Sequence, residues 1–116
     1  MTSTRYNIDG TFQKDVYYDP YLSPNDGHYH HVYKTITTCY ADGTTSWEYV
    51  YSDPLPVAGD YQTVLKEATG YFPNGSIKEK DVYSDPVLTT DGYYQSLHWT
   101  ETFYNPDGTI KNVAVF

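Results

Sequence analysis

Basic residues are scarce in this chain: 7 Lys and Arg stand against 15 Asp and Glu in 116 residues, for a formal charge of −8. Such a field repels nucleic acid and anionic membranes, so neither is an expected partner. Cysteine occurs once, at Cys39, which excludes an intrachain disulfide. A single thiol fits a reducing, cytoplasmic setting, and a secreted chain with its signal removed is the other reading. No apolar run reaches the roughly 18 residues of a membrane span, and Met1-Thr2-Ser3-Thr4-Arg5 enters strand-like sequence without an apolar signal segment. Methionine occurs once and leucine is sparse. Apolar residues nowhere sustain every-third-or-fourth spacing between caps. The best helical stretch, Tyr61 to Thr69 through Val64, Leu65 and Ala68, falls where the repeat of the chain calls for a strand. No nucleophile elbow, phosphate-cradling glycine loop or paired-cysteine metal motif is present.

What the chain does have is tyrosine, 15 of them, with 4 Phe and 2 Trp, residues that favour a pleated, half-buried surface. It also has Asp9-Gly10, Asp42-Gly43, Asn74-Gly75 and Asp107-Gly108, at steps of 33, 32 and 33 residues, each between strand-like runs. These dipeptides suit the positive φ angles of a two-residue hairpin turn. Half a period away stand Tyr17-Tyr18-Asp19-Pro20, Tyr51-Ser52-Asp53-Pro54 and Tyr83-Ser84-Asp85-Pro86. Proline cannot donate to a ladder, so each of these ends a strand. The expected fold is all-β, a single domain over residues 1–116. It is an eight-stranded antiparallel up-and-down meander of two-strand repeats, each about 33 residues long, closed or nearly closed into a small barrel. The alternative is an open, strongly curved sheet that forms a homodimer through one face.

Turn length sets register, and register sets the face each side chain takes. Two-residue turns put Lys34 opposite Tyr51, Ile36 opposite Tyr49 and Thr38 opposite Trp47 on one inner face. On the second hairpin the inner set includes Lys66, Ala68, Gly70 and Phe72 with Ile77, Glu79, Asp81 and Tyr83. On the last it includes Leu97, Trp99, Glu101 and Phe103 with Ile110, Asn112, Ala114 and Phe116. The first hairpin is one residue shorter, and counting from its two ends gives opposite facings. Longer turns would exchange the inner and outer lists.

An otherwise aromatic face thus carries Lys34, Lys66, Glu79, Asp81 and Glu101. Buried charges must pair, shift their pKa or line a wet cavity. The site expected is a barrel interior lined by Lys34, Trp47, Tyr49, Tyr51, Lys66, Glu79, Asp81, Tyr83, Trp99, Glu101 and Phe103, taking a small organic ligand and no cofactor. An enzyme of isomerase or cyclase type would use Glu101, Asp81 and Lys66 as acid and base, with Lys66 paired to Asp81. Against both stands a packed aromatic core whose lysines reach the rim. A third reading is a carbohydrate-binding or adhesion module using Tyr33, Tyr71, Tyr94 and Tyr104 on the outer face.

Other clusters are weaker. His28, His30 and His31 with Asp26 have metal-ligand chemistry, but alternation splits the histidines between two faces, and His98 falls on the outer one. Asp19, Asp26, Asp53, Asp60, Asp85 and Asp91 gather at one rim, where turn hydrogen bonds account for them better than calcium does. Cys39 faces outward with no inward histidine to activate it.

Overall fold

The computed structural model describes residues 1–116 and is all-β, with no helix. The strands are β1 (Thr2–Tyr6), β2 (Phe12–Tyr17), β3 (Tyr21–Leu22), β4 (Tyr29–His30), β5 (Tyr33–Cys39), β6 (Thr45–Tyr51) and β7 (Leu55–Val57). They continue with β8 (Asp60–Gln62), β9 (Leu65–Tyr71), β10 (Ile77–Tyr83), β11 (Val87–Leu88), β12 (Tyr94–Gln95), β13 (Trp99–Tyr104) and β14 (Ile110–Val115). Eight of them build one antiparallel sheet in the order β1-β2-β5-β6-β9-β10-β13-β14. The remaining six strands form three small hairpins, β3–β4, β7–β8 and β11–β12, whose first strands follow directly on the Asp-Pro sites.

The sheet is open, and the expected barrel is not formed: β1 and β14 lie at opposite edges. The molecule measures 50 × 35 × 18 Å, with a radius of gyration of 16.6 Å. A compact chain of this length would have about 13 Å. Eighteen ångströms is one sheet with side chains on both sides, since a second sheet would add about 10 Å. Only 7 residues are buried, and four of those are Asp15, Ser23, Thr69 and Asp81, so no conventional core exists. Closure would have brought Asp15, Glu79, Asp81 and Glu101 into one small interior, and the open sheet leaves that side to water.

The four tight turns share one geometry, and it is not the two-residue one. Gly10, Gly43, Gly75 and Gly108 have φ between 88° and 91°, while the Asp or Asn before each has no positive φ. Each glycine N–H donates to the carbonyl three residues back, as in Gly43 to Tyr40 at 2.9 Å. The Asp42 side chain accepts from the Thr44 N–H and hydroxyl, at 2.9 and 2.6 Å. This is a type I turn finished by a glycine bulge. The longer turn shifts pairing by one residue, at Cys39↔Thr45, Tyr71↔Ile77 and Tyr104↔Ile110. A second bulge, at Ser46, Lys78 and Lys111, shifts it back, giving Thr38↔Trp47, Gly70↔Glu79 and Phe103↔Asn112. The two irregularities cancel, so Ile36, Trp47, Tyr49, Glu79, Asp81, Glu101 and Phe103 share a face. The first hairpin has no second bulge, and Asp15↔Ile36 and Gln13↔Thr38 put Asp15 and Gln13 on that same face.

At the far end of the strands another bulge corrects the lysines. Tyr17 pairs with Tyr33, and Tyr51 with Leu65, leaving Lys34 and Lys66 as extra residues. Both lysines are exposed, and Tyr33 takes the face expected for Lys34. β13 lacks the extra residue, so Trp99 pairs directly with Tyr83.

The aromatic face is held by cross-strand stacking. Tyr17 stacks on Tyr33 at 4.9 Å and Tyr33 on Tyr51 at 5.8 Å. Tyr83 meets Trp99 at 6.0 Å, and Trp99 stacks on Phe116 at 5.1 Å. Trp47 stacks on Tyr49 at 5.8 Å and lies across Gly70, where an added Cβ would come within 2.8 Å of the indole. Gly70→Ala is therefore expected to displace a stacked ring and cost about 1–3 kcal/mol. Thermal unfolding followed by tryptophan fluorescence checks this: Tm drops and the spectrum shifts.

Candidate functional site

Asp81 and Glu101 are directly opposed on β10 and β13, and Glu79 lies two residues before Asp81 on the same side of β10. Ala68 and Gly70 oppose Asp81 and Glu79 on β9, and the Trp47 indole lies across Gly70. One oxygen from each of Glu79, Asp81 and Glu101 lies within 4.8 Å of the other two. Asp81 is 6% exposed, and its Oδ1 has no hydrogen-bond partner. Glu101 Oε1 accepts from Trp99 Nε1 at 3.3 Å. Three oxygen donors of this kind are the group in the sheet that could hold a hard cation.

No basic side chain neutralises them. The ion pairs are Arg5 with Asp15, His30 with Asp26, and Lys80 with Glu67. Lys78 Nζ sits over the Trp47 ring at 5.5 Å, and Lys34 Nζ over Tyr18 at 5.6 Å. The expected Lys66–Asp81 pair is absent, because the bulge at Lys66 carries that side chain out to solvent.

The electrostatic consequence falls on Asp81. Withdrawal from water, then the hydrogen bond with Glu79 and the charges of Glu79 and Glu101, push its carboxyl up to about 7. Burial, followed by the charges of Asp81 and its neighbours, raises the phenols of Tyr49 and Tyr83. Tyr51 is raised as well, by burial first. Trp47, Tyr49, Tyr83, Trp99, Glu101 and Phe103 are all half-buried, so the expected ring-and-carboxylate set is gathered on one face, without Lys34 and Lys66 and without an enclosed interior.

A second carboxylate, Asp15, is 2% exposed and is satisfied by Arg5 at 3.1 Å, Gln13 at 2.8 Å and the Tyr17 hydroxyl at 3.4 Å. The first hairpin's ambiguous facing hid it. Tyr17, beside it, is pushed up to about 12 by burial and by Tyr33.

The largest hollow lies elsewhere. A cleft of about 460 Å³ opens between the β7–β8 hairpin and the end of the sheet, lined by His31, Tyr33, Val57, Tyr61, Gln62 and Tyr93 among others. The sequence does not announce it, because the two- and three-residue strands of these hairpins are too short to show alternation. Aromatics at Tyr21 and Tyr61, which meet edge to face at 4.9 Å, were the signal. The small hairpins are laced side by side: Asn25 donates to Asp60 at 2.8 Å, and Gln62 exchanges two bonds with the Tyr94 backbone, at 2.8 and 2.9 Å.

Of the rim aspartates, Asp26 and Asp91 serve turns. Asp26 accepts from His30 Nε2 at 2.7 Å and from the His28 N–H at 2.9 Å. His31 packs edge-on to Tyr17 at 4.1 Å. Asp91 caps its turn by accepting from the Tyr93 N–H, and Asp53 accepts from Tyr18. Of the surface tyrosines, Tyr33 belongs to the stacked row and Tyr94 to the hairpin lacing, and the Tyr71 carbonyl accepts from Tyr40. Cys39 is buried on the opposite face from Trp47.

Comparison with known protein families, curated proteins and solved structures gives no match. No helix is long and apolar enough to cross a membrane.

The Asp81 carboxyl titrates higher in the folded chain than its ordinary 3.8. The folded state therefore binds more protons than the unfolded state between pH 3.8 and about 7, and stability falls as pH rises through that window. The turn carboxylates with lowered values, such as Asp9, Asp42 and Asp107, act below it. Tm is expected to fall between pH 5 and pH 8. Asp81→Asn should flatten that profile and raise stability at pH 8 by about 1–3 kcal/mol, because the amide carries no charge to be withdrawn from water beside Glu79 and Glu101.

Proposed function

We propose that this chain is a non-catalytic binding protein whose sheet face takes a small organic cation, with a primary ammonium seated on Glu79, Asp81 and Glu101. The observation that carries the reading is the buried, unpartnered Oδ1 of Asp81 beside two further carboxylates with no basic side chain on them. An ammonium has three N–H donors. At an N···O distance of about 2.9 Å its three acceptors stand roughly 4.7 Å apart, which suits oxygens within 4.8 Å of one another. Tyr49, Tyr83 and Trp99 border the carboxylates and supply rings for the organic part, with cation–π attraction worth about 0.5–2 kcal/mol. The site is an open face, so binding is favoured over catalysis that needs water excluded. The 33-residue spacing of the turns supports a scaffold of duplicated hairpins in which this one junction acquired the carboxylates.

Calorimetric titration with 1,4-diaminobutane tests the reading, with calcium chloride as a parallel arm. Saturable diamine binding, weakened at least tenfold by Glu101→Gln and accompanied by a change in tryptophan emission, is expected. Calcium binding without diamine binding would make the cluster a metal site and overturn the organic-cation reading. Silence in both arms would overturn it as well.

A further inference from the structure

The sheet alternates two kinds of strand. β1, β5, β9 and β13 lead into a tight turn, and β2, β6, β10 and β14 return from one. At each junction between hairpins, a returning strand pairs with the next outgoing one. The partners occupy the same places: Val16↔Thr35, Val50↔Glu67 and Val82↔Thr100 on one side of the sheet, and Asp15↔Ile36, Tyr49↔Ala68 and Asp81↔Glu101 on the other.

The two edges of the sheet are an outgoing strand, β1, and a returning strand, β14. Their free sides are the two sides that meet at every internal junction. By position after its turn, Val115 corresponds to Val82 and Ala114 to Asp81. Thr2 and Ser3 correspond in the same way to Thr100 and Glu101. We infer that β14 of one copy pairs antiparallel with β1 of a second copy, Val115 opposite Thr2 and Val113 opposite Thr4, continuing the sheet head to tail.

The backbone is set for it. Trp99 and Phe116 exchange both of their hydrogen bonds, at 3.2 and 2.9 Å, so on β14 the N–H and C=O of Val115 and Val113 point to the free edge. The Tyr17 N–H donates to the Met1 carbonyl at 2.8 Å, so on β1 Thr2 and Thr4 turn theirs outward. These outward groups coincide in the register above. They match Val82 and Thr100, whose neighbours Ser84 and His98 are bonded at 2.8 Å. Ala114 would meet Ser3, a small pair, and Phe116, stacked on Trp99, would meet Met1, an apolar one.

The usual guards on a sheet edge are weak here. Neither β1 nor β14 contains proline, and Val113 and Val115 are 50% and 77% exposed. Lys111, the one basic residue of β14, stands at the bulge next to the turn, before Val113 and Val115. Because the two edges differ, the contact is heterologous and does not close on a pair; it propagates into a ribbon.

Sedimentation velocity from micromolar to millimolar chain is the test. The expected result is a mass that climbs with concentration in steps of 13.3 kDa. Val113→Pro removes an outward donor on an edge strand, a position that tolerates proline, and Thr4→Pro does the same on the other edge. Each variant alone is expected to stay at one chain, with unchanged circular dichroism. An equal mixture is expected to stop at two chains, because only one sound edge of each kind remains. Wild-type chain that stays single throughout, variants that associate as wild type does, or a mixture that stays single would each overturn the pairing. Should both variants unfold, Val115→Lys and Thr2→Lys, which keep the backbone donors, replace them with the same expected masses.

Discussion

A sheet of one layer has nothing to bury against, so its side chains must bury one another along the face. That constraint accounts for the composition. Tyrosine and tryptophan give large stacking area while keeping a polar end for water, and here they stack strand to strand from Tyr17 through Tyr33 to Tyr51, and from Tyr83 through Trp99 to Phe116. Cross-strand pairs of this kind contribute roughly 0.2–1 kcal/mol each, and the backbone ladder of 65 hydrogen bonds fixes the spacing that lets them form. In the middle of the face Gly70 sits where the Trp47 ring must lie flat, and Ala68 stands opposite Tyr49. Packing of this sort tolerates little change of register.

The same constraint explains why carboxylates can be half-hidden without a basic partner. In a closed barrel Glu79, Asp81 and Glu101 would need cations or a wet cavity. On an open face water reaches two of them, and the burden falls on Asp81 alone, whose carboxyl rises towards neutrality. Asp15, equally central but placed beside Arg5 and Gln13, is fully bonded. Two buried aspartates in corresponding rows of one face thus differ through a single neighbouring strand. β1 supplies an arginine to the first, and β13 supplies a glutamate to the second.

Much of this was legible in the residues, and the parts that were not failed for definite reasons. The turn dipeptides located all four tight hairpins, and the Asp-Pro sites located the ends of β2, β6 and β10. The facing of Trp47, Tyr49, Asp81 and Glu101 was read correctly from a turn type that does not occur, because the glycine bulge and the bulge after it cancel. Lys34 and Lys66 were misplaced because no uncompensated bulge announces itself in composition; an exposed lysine in a strand reads the same on either face. The side hairpins were missed because strands of two or three residues are too short to show alternation.

The sequence alone determined the eight strands of the main sheet, their order and which of their residues alternate, since those follow from turn chemistry and from the two-residue period of a strand. Whether the meander closes was left to the tertiary structure. Closure depends on how twist and bulges accumulate over eight strands and on the cost of gathering four carboxylates inside a barrel, and both are properties of the assembled sheet.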